Sequence, residues 1–512
     1  MRGKSLMFQG TGSSVGKSML CAAVLRILKQ DGLRVAPFKA QNMALNSFAT
    51  SEGLEMGRAQ VTQAEAAGIE PSVRMNPVLL KPTSDRRSQI IVNGKPIGTM
   101  SAMEYDAFKP RLREMVRQTY DALEADVDVV VIEGAGSPAE INLKKGDIVN
   151  MSMAKSADAP VILIGDINPG GVFASLYGTV KLLDEEEQAR IKGIVINKFR
   201  GDVKILEPGL KMLEDLLHIP VIGVIPWMEI DMEDEDSVTE RFSQRSGQGR
   251  IRTAIVRLPH ISNFTDFNLL SGEADVSVSY ATRASELQDV DIIILPGTKN
   301  TIEDLNWLKQ RGMADEIIRH ARRGGMVVGI CGGYQMLGET LRDPLHTESR
   351  IPEIAGLGLL NFEVTFNAEK TTVQAHGNIQ CESGWLREHN GLMLDGYEIH
   401  SGENAFGERC IPFLYLNGRE APDGVVNPEG NVIGSYLHGI FDTGAFWRIL
   451  VNRVRMQRGL NANEGEVLTI GEFREREFDR LADIVRQNLD MDAVYQIIRG
   501  EEVPCGRWND EE

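Results

Sequence analysis

The sequence predicts an α/β protein in which two parallel-sheet domains follow one another. Short apolar runs alternate with helical stretches, and a glycine-rich turn at Gly10–Ser18 joins the first run to a helix. A second glycine-rich turn lies at Gly329–Gly333. Alternation of this kind is typical of a mostly parallel sheet covered by helices, because parallel strands need long crossover connections. The chain has 512 residues, which is too long for one ordinary hydrophobic core. We therefore expect more than one domain.

The strands of the first domain are predicted from apolar runs bounded by turn residues. The helix after the first glycine-rich turn carries an apolar stripe. We expect this helix to end near Gly32, because glycine readily adopts the left-handed conformation that terminates helices. The predicted strands are Leu6–Phe8, Val35–Phe38, Val129–Ile132, Val161–Ile164, Ile194–Ile196 and Val221–Ile225.

The second domain shows the same alternation and adds a β-rich stretch from Val364 to Leu437. Its first predicted strands are Ile251–Val256, Ile292–Leu295 and Met326–Ile330. The end of the chain is predicted to be helical, because apolar residues recur there at helical spacing. These residues are Phe478, Leu481, Val485 and Leu489.

A run of six acidic residues among the nine from Met228 to Asp236 separates the two domains. So many charges do not pack in a core, which favours a solvated linker over a functional acidic segment. The predicted division is therefore a first domain at 1–227, a linker at 228–250, a second domain at 251–445 and a helical extension at 446–512.

Composition restricts the classes of partner. The net charge of −18 disfavours non-specific nucleic-acid binding, which needs a basic face. No apolar run approaches the ~18 residues that a membrane span requires, and Leu6–Phe8 is too short for a signal-peptide core. We therefore expect a cytoplasmic protein without a membrane partner. Five scattered cysteines without CxxC spacing suggest neither a disulfide framework nor a zinc site. The sequence does not predict the oligomeric state.

The turn GTGSSVGKS at Gly10–Ser18 is predicted to bind the phosphates of a nucleoside triphosphate, here ATP. Small residues at Gly12 and Gly16 let backbone N–H groups approach the phosphates at a helix N-terminus. Lys17 is expected to reach the β- and γ-phosphates and Ser18 to bind Mg²⁺. The loop is a variant, because Thr11 stands where the common pattern has glycine. An ordinary glycine-rich turn is the alternative, which the strand-to-helix position disfavours.

Polar residues follow three strands of the first domain, where ligands of parallel sheets bind. Glu133 follows Val129–Ile132 and is the candidate metal ligand, with a structural acid as the alternative. Asp166 holds a similar position with weaker support. Asn197 and Lys198 follow a third strand and are candidates for contacting the nucleotide base.

Several basic residues follow the second strand. Lys39, Arg58 and Lys81 are candidates for binding phosphate or a substrate carboxylate, and solvated surface is the alternative. Arg86 and Arg87 are weaker candidates of the same kind.

The turn GICGG at Gly329–Gly333 is predicted to present Cys331 as a nucleophile. A tight strand-to-helix turn requires small neighbours, and a helix N-terminus favours the thiolate. The backbone N–H of Gly332 is a predicted half of an oxyanion hole, and Gly297, after another strand, is the other half. A buried structural cysteine is the alternative.

A cysteine nucleophile needs a base. His438 in GSYLHG is our candidate, because it ends a strand-like run. His400 in YEIHSG is the runner-up, and the other six histidines are interpreted as structural.

These motifs carry a family resemblance. GICGGYQ with the distant GSYLHG resembles the class I glutamine amidotransferases, and GTGSSVGKS with IEGAGS resembles the dethiobiotin-synthetase-like ligases. Joined in this order, they resemble the glutamine-hydrolysing corrinoid amidases. Longer matching segments run from the first turn to about Asp442. They are FKAQNMALNSF, EMGRAQVTQAEAAG, MNPVLLKP, SPAEINL, NKFRGD, LPHISNFTDF, LPGTKNTIEDL and YEIHSG.

The resemblance implies that Cys331, with His438 as base, releases ammonia from glutamine. In the ATP domain the ammonia then amidates a corrin carboxylate that ATP has activated, in cobalamin biosynthesis. The AQNM and EMGRAQ segments favour the branch that amidates the b, d, e and g carboxylates of adenosylcobyrinic acid a,c-diamide. The branch that makes the a,c-diamide itself is the alternative. The polyanionic corrinoid gives Lys39, Arg58 and Lys81 a plausible use.

Two departures from the family pattern stand out. Many class I amidotransferases have glutamate two residues after the histidine, where this chain has Ile440, so the group that orients His438 must come from elsewhere. The family usually has an Asp-Arg pair where this chain has Asn168 and Pro169.

The motifs disfavour two other classes of protein. A regulatory ATPase would show no glutaminase activity, and the GICGG turn disfavours it. A scaffold protein with an inactive amidotransferase domain would be expected to lack Cys331 or His438, and both are present.

Overall fold

The computed structural model describes residues 3–84, 87–228, 230, 249–416 and 418–508. The described residues form two compact units. The first unit takes in the described parts of Met1–Met43, Met56–Met232 and Arg474–Glu512, and the second takes in those of Ala44–Glu55 and Glu233–Phe473. The predicted domain boundaries stay a prediction. The compact units differ from the predicted domains in two places: 44–55 packs in the second unit, and the chain from 474 packs in the first. Most of the predicted linker, namely 229 and 231–248, lies outside the described residues.

Strands and helices alternate before residue 228, as the sequence predicts. The strands are β1 (Lys4–Gly10), β2 (Val35–Phe38), β3 (Gln41–Met43), β4 (Ser47–Ala49), β5 (Glu55–Gly57), β6 (Val78–Ser84), β7 (Arg87–Val92), β8 (Lys95–Ser101), β9 (Val129–Glu133), β10 (Val161–Asp166), β11 (Ile191–Phe199) and β12 (Val221–Pro226). The helices are α1 (Lys17–Gln30), α2 (Arg58–Ala67), α3 (Ala102–Phe108), α4 (Arg113–Glu124), α5 (Met151–Ser156), α6 (Val172–Lys181), α7 (Glu185–Arg190) and α8 (Val203–Leu217).

The first unit is built on a parallel sheet of six described strands in the order β12-β11-β10-β1-β9-β2. All six strands predicted from apolar runs are confirmed in it. Their residues are almost fully buried, as expected when helices cover both faces of a parallel sheet. Because β1 lies in the middle, the turn that follows it is flanked by the ends of β9 and β10. A smaller sheet of the described strands β3-β6-β7-β8 was not predicted.

The second part of the chain also alternates at first and then becomes rich in strands. The strands are β13 (Ile251–Val256), β14 (Val276–Ala281), β15 (Ile292–Leu295), β16 (Met326–Ile330), β17 (Thr340–Arg342), β18 (Glu353–Ala355), β19 (Phe362–Ile379), β20 (Met393–Phe406), β21 (Ile411–Leu416), β22 (Gly424–Val426) and β23 (Val432–Ser435). The helices are α9 (Thr301–Gln310), α10 (Met313–Arg322), α11 (Gly332–Leu337), α12 (Ala445–Gln457), α13 (Ile470–Asn488) and α14 (Met491–Arg499).

The main sheet of the second unit has a parallel half, ordered β14-β13-β15-β16-β23. From β22 onward the pairing is mainly antiparallel, with the long hairpin β19–β20 beyond β21. Cys331 directly follows the central strand β16, and His438 lies three residues beyond β23. The predicted α/β class is therefore confirmed for both units.

The segment 44–55 packs in the second unit although it lies early in the chain. Ala49 joins an apolar cluster with Tyr397 and Ile399 of β20. The ring of Phe48 meets the ring of Tyr397 edge to face, with centroids 5.0 Å apart. The backbone N–H of Ser47 donates to Asn263 Oδ1 at 3.0 Å. Apolar and polar contacts thus both hold this segment.

Helices α13 and α14 contribute to the core of the first unit. The predicted stripe of Phe478, Leu481, Val485 and Leu489 is buried there, together with Val494 of α14. In the same unit, buried Arg26 of α1 pairs with Glu475 and Asp479 of α13 at 2.8 Å each. Among the helices of the described residues, none is long and apolar enough to cross a bilayer.

Candidate functional site

The phosphate-loop turn lies between β1 and α1 and needs its glycines. Gly16 has φ +99°, and a Cβ there would lie 2.1 Å from Asn197 Nδ2. A Cβ on Gly10 would lie 2.4 Å from Val15 Cγ2, whereas around Gly12 the nearest atom would be 4.0 Å away. Lys17 Nζ reaches across the loop and donates to the Gly12 carbonyl at 2.8 Å. The loop is thus compact, with its lysine held across it at the N-terminus of α1.

The carboxylate of Glu133 is the centre of a buried polar cluster beside this loop. It accepts hydrogen bonds from Ser18 Oγ at 2.8 Å, Lys39 Nζ at 2.8 Å and Gln63 Nε2 at 2.6 Å. Glu133 is 0% exposed, and a buried carboxylate needs such partners to offset its desolvation. The structure therefore brings together the predicted residues Ser18, Glu133 and Lys39. Gln63, in α2, was not predicted.

Ser18 and Glu133 fit the requirements of Mg²⁺. Hydroxyl and carboxylate oxygens are hard donors, and Mg²⁺ is usually held by one or two such groups together with phosphate oxygens and water. Within the described part of the chain, no group of three or more His, Cys, Asp or Glu residues converges as a metal site. A cation beside Ser18 would therefore depend on phosphate oxygens for part of its coordination.

The end of β11 supports the loop from the other side. Asn197 Nδ2 donates to the carbonyl of Val15 at 2.8 Å, and Lys198 Nζ donates to the carbonyl of Ser14 at 2.7 Å. Lys198 also pairs with Asp166 at 2.9 Å. These three predicted residues thus meet, and two of them bind loop carbonyls.

Arg58 and Lys81 are both buried, with exposed fractions of 4% and 3%. Arg58 begins α2 and Lys81 lies in β6. Burial of this degree disfavours the alternative that they are solvated surface residues.

Cys331 occupies a strained position between β16 and α11. Its backbone has φ 49° and ψ −111°, a conformation unusual for a residue with a side chain and typical of nucleophile turns. A Cβ on Gly333 would lie 2.1 Å from the Leu295 carbonyl oxygen, so the turn passes directly against the end of β15. The N–H of Cys331 donates to the Ser435 carbonyl at 2.9 Å, which ties the turn to β23.

His438 is held by a carboxylate that sequence reasoning missed. Its Nδ1 lies 2.7 Å from Asp266 Oδ2, and Asp266 Oδ1 accepts the N–H of Gly439 at 3.1 Å. Burial opposes protonation of His438, but Asp266 and Cys331 together outweigh it and raise the pKa of His438 to about 10. Ile440, two residues after His438, is buried. The sequence shows Asp266 as the acid in LPHISNFTDF. It does not show which way the Asp266 side chain points, so the contact with His438 could not be predicted.

The predicted oxyanion donors lie on two adjoining turns. A Cβ on Gly297 would lie 2.8 Å from His438 Cε1, and a Cβ on Gly332 would lie 3.1 Å from the backbone nitrogen of Thr298. The loop after β15 therefore lies against both the imidazole of His438 and the Cys331 turn. Side chains at these positions would collide, which explains the two glycines.

His400, the alternative base, is engaged elsewhere. Its Nδ1 contacts the Gly402 carbonyl at 2.9 Å and its Nε2 contacts Glu398 at 3.4 Å. Its ring stacks on Tyr436 with centroids 3.8 Å apart. Both ring nitrogens of His400 thus face partners other than Cys331.

The chain is similar to known proteins along almost its full length. Residues 6–237 match the family described as the CobQ/CobB/MinD/ParA nucleotide binding domain, and residues 252–446 match the CobB/CobQ-like glutamine amidotransferase domain. The cobyric acid synthase of Alkaliphilus metalliredigens is 54% identical over 97% of this chain and 100% of its own length. The cobyric acid synthase of Salmonella arizonae is 52% identical over 98% of this chain and 99% of its own. The cobyric acid synthase of Caldanaerobacter subterraneus is 51% identical over 96% of this chain and 98% of its own length.

Proposed function

The chain belongs to the cobyric acid synthase family, and from that premise we propose that it converts adenosylcobyrinic acid a,c-diamide to adenosylcobyric acid. The chain is a glutamine-hydrolysing amide ligase of cobalamin biosynthesis. The proposal adds the substrate and the positions, namely the b, d, e and g carboxylates. One observation carries it: a Cys331–His438–Asp266 arrangement and a phosphate loop centred on Glu133 occur in one chain. We place this reaction in the cytoplasm, with no nucleic-acid or membrane partner.

The glutaminase half follows from the geometry around Cys331. The thiolate attacks the side-chain amide carbon of glutamine, and His438 holds the thiolate as an ion pair and then protonates the departing ammonia. Asp266 positions the imidazole through Nδ1. The N–H groups of Gly297 and Gly332 bind the oxygen of the tetrahedral intermediate. Water then hydrolyses the thioester and releases glutamate.

The ligase half follows from the Glu133 cluster. ATP supplies the phosphoryl group that activates a corrin carboxylate, and ammonia displaces phosphate to leave a primary amide. Ser18 and Glu133 would hold Mg²⁺, which would supply positive charge to neutralise the phosphates. Gly12, Gly16 and Lys17 bind the phosphates. Asn197 and Lys198 hold the loop and are our candidates for contacting the nucleotide base. Lys39, Arg58 and Lys81 are our candidates for binding phosphate or the corrin carboxylates.

The test is an assay with the full chain, ATP, Mg²⁺, glutamine and the a,c-diamide, read by product mass. We expect four successive steps, each replacing one hydroxyl by an amino group. ATP turnover without a change in product mass would refute the proposal. Amidation of cobyrinic acid at a and c instead would favour the alternative member of the family.

A Cys331→Ala variant tests the division of labour. We expect it to lose glutamine-dependent amidation, because alanine has no thiol to attack glutamine, and to keep amidation with free ammonia. Cys410→Ala, in the same unit, is the matched control and should retain both activities. Loss of the ammonia-dependent activity in the Cys331 variant alone would show that the two reactions are not separable.

A further inference from the structure

Lys299 lies beside the Cys331 turn and forms no direct ion pair within the described part of the chain. A Cβ on Gly332 would lie 2.7 Å from Thr298 Cγ2 and 3.2 Å from Thr301 Oγ1, so the residues on both sides of Lys299 border the Cys331 turn. Its own N–H donates to the carbonyl of His260 at 3.0 Å, which fixes the backbone. Among the described residues, no carboxylate lies within 4 Å of its ammonium group. Lys299 is only half-buried, so a ligand can reach it.

Glu348 is a second isolated charge at the same place. Its Oε2 accepts the N–H of Thr301 at 3.2 Å, at the start of α9. Thr301 Oγ1 in turn donates to Gln335 Oε1 at 2.9 Å, in the helix that follows Cys331. Asp343 fixes the loop that carries Glu348 by accepting the Glu348 N–H at 2.9 Å. Within the described chain, no basic side chain forms an ion pair with Glu348, which is also half-buried.

The nearest other charges already satisfy one another. Glu55 accepts from Lys370 Nζ at 2.6 Å and from Ser47 Oγ at 2.8 Å. Burial lowers the pKa of Lys299, and Lys370 lowers it further. Burial raises the pKa of Glu348, although Lys299 opposes this. Lys299 and Glu348 therefore attract one another from a distance, but neither has a direct ion-pair partner among the described residues, and a ligand could provide one to each.

We propose that Lys299 binds the α-carboxylate of glutamine and Glu348 binds its α-ammonium group. The inference rests on the proposed glutaminase reaction at Cys331. A free amino acid carries one negative and one positive group on the same carbon, so one ligand supplies both missing countercharges. Its amide then extends from the loop after β15 toward Cys331. The pair thus selects free glutamine over glutamine side chains within peptides, which lack both charges.

Substrate analogues test each contact separately. Glutaramate is glutamine without the α-amino group, and γ-aminobutyramide is glutamine without the α-carboxylate. Ammonia release from each, at equal ATP and corrinoid, gives kcat/KM for the full-length wild type, Glu348→Gln and Lys299→Met. A charge-assisted hydrogen bond is worth roughly tenfold to a hundredfold in this ratio. We expect the wild type to prefer glutamine over either analogue by that factor.

The two variants should lose different preferences. Glu348→Gln should hydrolyse glutaramate and glutamine equally well and still discriminate against γ-aminobutyramide. Lys299→Met should hydrolyse γ-aminobutyramide and glutamine equally well and still discriminate against glutaramate. Each ratio compares two substrates on one protein, so it does not depend on the fraction of molecules that fold. The exposed Glu353, paired with Arg342, provides the control Glu353→Gln, which should match the wild type.

If Glu348→Gln or Lys299→Met is inactive, variants that conserve the charge test the same contacts. Glu348→Asp and Lys299→Arg should keep the wild-type preferences, because each retains its charge. Unchanged ratios in Glu348→Gln and Lys299→Met would overturn the inference, as would an equal fall of both ratios in either variant. If the wild type releases no ammonia from glutamine, the proposed function itself fails, and this outcome is distinct from the others.

Discussion

The imidazole of His438 takes its orienting carboxylate from Asp266, far away in sequence. Two residues after the histidine, the buried Ile440 packs in the core and cannot bind Nδ1. Asp266 instead reaches Nδ1 and the next backbone N–H with its two oxygens. The bidentate contact fixes both the side chain and the backbone at His438. The geometry at His438 thus depends on the residues just before β14.

Replacement of Asp266 by Asn should lower glutaminase kcat/KM by about 10²–10⁴, since loss of the orienting carboxylate in comparable triads has effects of this size. Because Asp266 raises the pKa of His438, the alkaline limit of the glutaminase pH profile should move from about pH 10 to lower pH. Ammonia-dependent amidation should be unchanged. Asp315→Asn, an exposed residue of α10, is the control. An unchanged pH profile would contradict this role.

The same pKa has a consequence for stability. The folded-state pKa of His438, about 10, exceeds the ordinary histidine pKa of 6.5. The stabilisation is therefore fully present below pH 6.5 and is lost as the pH rises toward 10. The difference in thermal stability between wild type and Asp266→Asn should be greatest below pH 6.5 and shrink above it. Thermal unfolding across this range measures the difference, and a difference that grew with pH would contradict the assignment.

At the scale of elements, α12 is fastened to the residues before β14 by buried charges. Glu273 accepts hydrogen bonds from Arg455 at 2.8 Å and from Asn463 at 2.9 Å, and it also pairs with Arg448. These partners outweigh burial and lower the pKa of Glu273. Its stabilising effect is thus present above pH 4.5 and is lost on acidification.

A Glu273→Gln variant should lose about 3–5 kcal/mol of unfolding free energy, because it removes the carboxylate that pairs with buried Arg455 and half-buried Arg448. Chemical denaturation at neutral pH measures the loss. Glu464→Gln, at an exposed residue next to Asn463 in sequence, should change stability little. Equal stability of the two variants would show that Asp275, which also contacts Arg455, suffices for this anchor.

The elements that could be predicted are those with an unbroken apolar run. β9, β15 and β16 are buried on both faces, so their sequences are continuously apolar. β14 was missed because VSVSYA places serine on alternate, half-exposed positions at the edge of the sheet. Cys331 and Glu133 were predictable because glycine turns and strand ends mark them. Gln63 and Asp266 lie in helical segments, where the sequence does not fix the direction of one polar side chain.

At the scale of the whole molecule, the last helices belong to the core of the first unit. Phe478, Leu481 and Val485 are at most 1% exposed. Deletion of 474–512 should therefore prevent that unit from folding, because each buried side chain contributes about 1.5–3 kcal/mol against a total of about 5–15 kcal/mol. Solubility and ATP turnover measure the effect. Deletion of 509–512 alone is the control, and full activity of the longer deletion would contradict the prediction.

The position of segment 44–55 has a consequence for how such a chain can be recombined. A gene cut within 228–250 would give a second fragment without Ser47 and Glu55. Ser47 is the partner of Asn263, and Glu55 is the partner of Lys370. The same fragment would carry the apolar stripe of α13 without the surface that buries it. A functional exchange of amidotransferase halves between relatives must therefore transfer 44–55 with the second half and leave 474–508 with the first.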